Sequence, residues 1–149
     1  MFNKVIITGG TGFLGTKFID VLTKSYNDME IIISLKEQNN DCNYFNNYRK
    51  IYNDIENKFE FDEQVDILIH IASETSKEDK MWSTNYIGTK NIVEWAVRSG
   101  VNKLIYISSI AVFGNNSKKK ITESSRCNPI NLYGKTKYAS ERFIINNCI

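Results

Sequence analysis

The sequence predicts an α/β fold: a doubly wound parallel sheet of strand order 3-2-1-4-5, in one domain over residues 1–149. Three observations lead there. Short apolar runs alternate with longer amphipathic stretches, the pattern of βαβ units. The first run, Val5-Ile6-Ile7, leads straight into Thr8-Gly9-Gly10-Thr11-Gly12-Phe13-Leu14-Gly15, which reads as a strand, a glycine turn and the opening of a helix. Right-handed crossovers then fix the strand order and put any ligand at the strand C-termini, where that order reverses.

Each element has its own signal. A strand is expected over Val5–Thr8 and a helix from Phe13 to about Ser25. A second strand covers Ile31–Leu35, and the Asn-rich stretch from Gln38 to Asn47 reads as a loop. A shorter strand is expected near Lys50–Tyr52, then a longer one over Asp66–Ala72. The amphipathic run from about Met81 to Ser99 is a helix with Gly100 as its stop. A last strand covers Lys103–Ser108, and a helix runs from about Tyr133 into the C-terminus.

Composition narrows the function classes. A net charge of +2 is too small to argue for nucleic acid, and Lys118-Lys119-Lys120, without interleaved aromatics, reads as a solvated loop. Apolar runs fall short of the roughly 20 residues that span a bilayer, and the N-terminus lacks a signal-peptide layout. No membrane partner and a cytoplasmic location are the expectation. Cys42, Cys127 and Cys148 are odd in number and widely spaced, so reduced thiols are expected rather than disulfides or a metal site.

The glycines satisfy Gly10-x-Gly12-x-x-Gly15 and the wider Gly9-x-x-Gly12-x-x-Gly15. One permits the tight turn, one lets backbone approach a pyrophosphate and one lets the helix pack on the strand, while the helix N-terminus attracts phosphate. A second landmark, Ser108-Ser109-Ile110-Ala111-Val112-Phe113-Gly114, lies at a strand C-terminus. The spacing Tyr-x-x-x-Lys puts both side chains on one helix face, but it occurs twice, at Tyr86–Lys90 and Tyr133–Lys137, so spacing alone does not choose.

Four elements occur in a fixed order: the glycine turn, Asn85-Tyr86-Ile87-Gly88-Thr89-Lys90-Asn91, the Ser109 segment, and Tyr133-Gly134-Lys135-Thr136-Lys137-Tyr138-Ala139-Ser140-Glu141. In this the chain resembles the extended short-chain dehydrogenases/reductases, closest to the NAD(P)-dependent nucleotide-sugar epimerase/dehydratase group. The resemblance implies a Rossmann-like domain, and it implies Ser109, Tyr133 and Lys137 as catalytic residues. Tyr133 takes a proton from a sugar hydroxyl, Lys137 supports it, and Ser109 bonds the same oxygen; the bland reading of Ser109 is a strand-end residue bonding local backbone. A tyrosine acting near neutral pH must be shifted by about 3 units from about 10, and a lysine at about 4 Å offers about 4 kcal/mol toward that.

Cofactor contacts are implied for Gly9, Gly12, Phe13, Leu14, Gly15, Ser34, Lys36, Asp54, Ile55, Ala72, Asn85, Tyr133 and Lys137. The cofactor is NAD or NADP. Ser34 stands where an acidic ribose-binding residue is expected and Lys36 could meet a 2′-phosphate, which gives a slight lean to NADP. His70 reads as structural, and Trp82 and Trp95 as packing residues. Dehydratases of this group carry an Asp-Glu pair after the catalytic hydroxyl; Ile110-Ala111 here leaves epimerisation or oxidoreduction. The resemblance further implies a nucleotide-sugar substrate and a possible homodimer through the helices near 81–99 and after 133. Members of the group commonly run to about twice this length, so the chain reads as a cofactor-binding part lacking the C-terminal strands and substrate domain, the alternative being a non-catalytic dinucleotide-binding module or an inactive truncated enzyme.

Overall fold

The computed structural model describes residues 3–37, 45–115 and 120–148. Residues 38–44, with Cys42, and the lysines at 118 and 119 lie outside them. Five strands, β1 (Lys4–Thr8), β2 (Glu30–Leu35), β3 (Arg49–Tyr52), β4 (Ile67–His70) and β5 (Lys103–Tyr106), form one parallel sheet in the order β3-β2-β1-β4-β5. This is the expected 3-2-1-4-5 arrangement. The strands read as unbroken apolar runs because both faces of a parallel sheet are buried. Alternation along them feeds two cores. Ile6, Ile32 and Leu68 face one side with Phe59, Ile92 and Trp95, while Val5, Ile7, Ile31, Ile33 and Ile69 face the other with Ile19.

Helix α1 (Phe13–Ser25) covers β1 and β2 on the second face. The opposite face is covered by a continuous helical run made of α2 (Glu78–Met81), a π-helical segment (Trp82–Ile87) and α3 (Gly88–Arg98), against which α4 (Leu132–Asn147) packs. Gly100 does stop α3. Its φ of +66° lets Gly100 N–H reach Val97 O and Val101 N–H reach Ala96 O at 3.0 Å, satisfying carbonyls the helix would otherwise leave open. Beside α1, the faces of β1, β4 and β5 form an apolar groove of about 500 Å³ lined by Leu22, Met29, Ile67, Ile69 and Ile105.

Several boundaries differ from expectation. The strands expected over Asp66–Ala72 and Lys103–Ser108 end at His70 and Tyr106, because β1 turns away at Gly9 and leaves no partner strand. Ladder bonding carries on one residue further, from Ile71 N–H to Thr8 O and from Ile107 N–H to His70 O. Phe45, assigned to a loop, is fully buried against the α1-side core. Trp95 packs as expected, edge-on to Phe59 with its indole N–H on Phe61 O; Trp82, expected to pack likewise, is about half exposed and only edges Tyr86.

Candidate active site

The glycine turn divides its labour among three residues. Gly9 has φ +71°, a conformation side chains disfavour, and a Cβ there would meet Ala72 N at 2.5 Å. Gly15 is closed to a side chain by Gly9 O and by Gly10 Cα at 2.6 Å, which is how α1 approaches the turn. Gly12 is different: a Cβ would touch only Gly9 O, at an ordinary 3.4 Å. No protein packing therefore requires glycine at 12, and the open cradle beside it fits an approaching pyrophosphate. The N-cap of α1 carries no side-chain cap and its first turn no acidic residue, so nothing in the side chains competes with an anion. Phe13 and Leu14 flank the cradle with side chains 82% and 46% exposed.

The segment Asn85 to Asn91 ties the sheet's end to α4. Asn85 is buried and its amide is fully used: Oδ1 accepts from Ser73 Oγ and from Glu74 N–H at 2.7 Å, while Nδ2 donates to Glu74 O and to Thr136 Oγ1 at 3.1 Å. A primary amide makes no more bonds than these. Asn85, expected to touch the cofactor, thus positions the loop after β4 against α4, and its amide has no valence left for a ligand. Within the π-helical segment, both Thr89 Oγ1 (2.5 Å) and Ser140 Oγ (2.8 Å) donate to the Asn85 carbonyl. Gly88 admits the Ile55 side chain, and Asn91 Nδ2 donates to the Ile55 and Asn57 carbonyls. Ile55 itself is buried in the core.

His70 is held between two threonines. Thr89 Oγ1 donates to Asn85 O, so toward His70 Nε2 at 2.9 Å it accepts; Nε2 carries the proton, and Nδ1 accepts from Thr8 Oγ1 at 2.6 Å. Ala72 N–H completes the chain on Thr8 Oγ1. Burial, with the charge of Lys137 behind it, holds the imidazole pKa down at about 3. A structural histidine is what the sequence suggested.

Ser109 caps a 3₁₀ turn (Ile110–Phe113), its Oγ accepting from Ala111 N–H at 3.2 Å. The bland reading therefore holds in part, yet the bond uses a lone pair and leaves the O–H free to donate. Gly134, whose N–H is capped by Asn131 Oδ1 at 2.7 Å, sits directly on Ala111 O with no room for a side chain. That contact brings the start of α4, with Tyr133, against the Ser109 turn. Lys137 is buried; Nζ donates to Ile107 O at 2.8 Å and lies 4.7 Å from the Tyr106 ring and 5.9 Å from the Tyr133 ring. Burial draws its pKa down to about 8, with Glu141 opposing. Tyr86 and Lys90 meet Phe143 and Glu94 instead, so the second Tyr-x-x-x-Lys is outside this cluster.

At the end of β2 Ser34 is buried and its Oγ has no partner among the described residues. Lys36 is paired with Asp54 Oδ2 and Glu56 Oε1, both at 3.1 Å, along a groove of about 320 Å³ that also meets Ser73, Glu74 and Thr84. Sequence reasoning missed Asn131 and Tyr106. An Asn just before a helix is a capping signal that could have revealed the first; nothing local reveals the second.

A crossover-connected parallel sheet in the order β3-β2-β1-β4-β5, with a glycine turn after its first strand, defines a Rossmann-like fold. The model of the NAD dependent epimerase/dehydratase family matches residues 5–147, and the chain belongs to that family. The dTDP-D-glucose 4,6-dehydratase of Mus musculus is 32% identical over 160 residues, covering 95% of this chain and 45% of that protein. A putative UDP-glucose 4-epimerase of Methanocaldococcus jannaschii is 29% identical, covering 94% and 49%. Among solved structures, the UDP-Glc/GlcNAc 4-epimerase from Campylobacter jejuni superposes with a TM-score of 0.84 at 23% identity, over 97% of this chain and 49% of that one. The Bordetella bronchiseptica enzyme WbmG, in complex with NAD, gives 0.84 at 19% identity, over 100% and 51%. The chain spans about half the length of the curated relatives it matches. Among the described residues no helix is long and apolar enough to cross a membrane.

Proposed function

We propose that this chain is the dinucleotide-binding and proton-transfer part of an NAD-dependent epimerase or oxidoreductase acting on a nucleotide-activated sugar. The observation that supports the reading is the seating of Gly134 on Ala111 O, which packs the start of α4 against the Ser109 turn, beside the Lys137 bond to Ile107 O just past β5. When bound, the nicotinamide supplies a reversible hydride acceptor. Gly9, Gly12, Phe13, Leu14 and Gly15 would hold the pyrophosphate, with Ser34, Lys36, Asp54, Ile55 and Ala72 toward the adenosine. Tyr133 takes the proton of a sugar hydroxyl, and the Lys137 ammonium stabilises the phenolate by charge. Ser109, oriented by Ala111 N–H, donates its remaining proton to the same oxygen. Ile110 and Ala111 offer no carboxylate beside it, which favours epimerisation or oxidoreduction over elimination.

NAD is the better fit than NADP. Lys36, the reason for the lean to NADP, is already paired with Asp54 and Glu56, so a 2′-phosphate would have to compete with two carboxylates for it. A homodimer through the helices near 81–99 and after 133 is part of the same reading: Trp82 and Ile87 in the π-helical segment, Val97 in α3 and Ile145 in α4 expose apolar surface. The test is turnover of a panel of UDP- and dTDP-sugars with NAD or NADP, alongside calorimetric binding of each cofactor. Tyr133→Phe is expected to abolish turnover with NAD affinity unchanged within about twofold, since the phenol's proton is needed only in the chemical step. Turnover retained in that variant overturns Tyr133 as the base; cofactor binding without any turnover favours the non-catalytic module; no cofactor binding overturns both.

A further inference from the structure

Resting on that reading, we propose that Tyr106 is the positioning residue for Lys137, its ring face holding the ammonium in place where no carboxylate does. Lys137 Nζ makes one hydrogen bond, to Ile107 O at 2.8 Å, and no described acidic side chain lies within ion-pairing distance of it. The Tyr106 ring lies 4.7 Å from Nζ, well inside the reach of a cation–π contact. In a buried setting that contact is stronger than at a surface, because little water screens it.

The Tyr106 hydroxyl makes no bond to Lys137, whose hydrogen bond goes to Ile107 O. It is buried beside the Thr89 and Ser140 hydroxyls, which donate to Asn85 O and oppose the effect of its burial. Burial raises its pKa to about 12, so the ring is neutral whenever Lys137 titrates. The titratable groups that act on Lys137 are His70 from β4, Tyr106 from β5, and Tyr133 and Glu141 from α4. Of these, Tyr106 alone presents a ring face at under 5 Å. The ring is therefore the useful part and the phenol oxygen dispensable.

The experiment follows the Lys137 CεH₂ resonances by NMR against pH in the cofactor-free chain, with Lys137→Met to assign them. Tyr106→Phe keeps the ring face and is expected to leave the Lys137 pKa within about 0.3 units of its starting value, whereas Tyr106→Leu lowers it by about one unit. Phenylalanines carrying one and three ring fluorines, placed at 106, keep the shape while draining the face of charge. They are expected to lower the Lys137 pKa stepwise, and they keep the proposal falsifiable if the leucine variant does not fold. A Lys137 pKa equal in the phenylalanine and trifluorophenylalanine proteins overturns the proposal. No turnover enters this readout, so it fails separately from the catalytic reading.

Discussion

Acidification from about pH 7.5 to about pH 5.5 should destabilise this chain through one residue, the histidine at position 70. The buried ring has no place for a second proton: Nδ1 accepts from Thr8 Oγ1, which itself accepts from Ala72 N–H, and Nε2 already donates to Thr89. Its folded pKa is about 3 against an ordinary 6.5. Between those values the unfolded chain binds the proton and the folded chain does not, so stability rises with pH. The contribution is complete above about 6.5 and is lost as the pH falls toward 3. One unit below the ordinary value, at about pH 5.5, the loss is about 1.4 kcal/mol.

Other groups leave this window clear. The carboxylates of Glu56, Glu60, Glu63, Glu74 and Asp66 are held below their ordinary 4.5 and 3.8, so their stabilisation fades only at lower pH. Lys137, lowered from 10.5 to about 8, begins to lose its proton in the folded chain only at the top of this window and adds about 0.2 kcal/mol to the change. Urea unfolding at the two pH values is expected to show the loss in the original chain and little of it in His70→Gln. Because His70 is the only histidine, its Cε1–H resonance reports directly, and it should not titrate above about pH 5. An NMR midpoint near the ordinary value, or an equal loss in His70→Gln, refutes the reasoning.

The glycine turn separates folding from binding. Gly15→Ala forces a Cβ into the Gly9–Gly10 backbone and should cost about 3 kcal/mol in denaturant unfolding, whereas Gly12→Ala should change stability by under about 1 kcal/mol. Calorimetry should nevertheless find NAD affinity at least about tenfold weaker in Gly12→Ala, because the new methyl fills the cradle; unchanged affinity would remove that residue from the site. Asn85→Ala abandons four hydrogen bonds and leaves Glu74 N–H and Glu74 O without the partner they have here, so a loss of about 3 kcal/mol is expected from chemical unfolding. A loss below about 1 kcal/mol would show that the amide does not tie α4 to the sheet.

By itself the sequence determined the strands, their order and the glycine turn. A parallel sheet buried on both faces writes runs such as Glu30-Ile31-Ile32-Ile33, crossover handedness leaves one winding, and a Cβ clash at Gly15 is a local fact of backbone geometry. The family resemblance of the ordered motifs pointed to Tyr133–Lys137 rather than Tyr86–Lys90. Only the tertiary structure decided what each site residue does with its hydrogen bonds. It set the Asn85 amide against Thr136, 51 residues away, turned Lys36 onto Asp54 and Glu56, locked His70 to Thr8 across 62 residues, and laid the Tyr106 ring beside Lys137. Periodicity records which face of an element is buried, since burial is a property of the element. Which two polar atoms meet at about 3 Å depends on how separate elements pack, and no local pattern carries that.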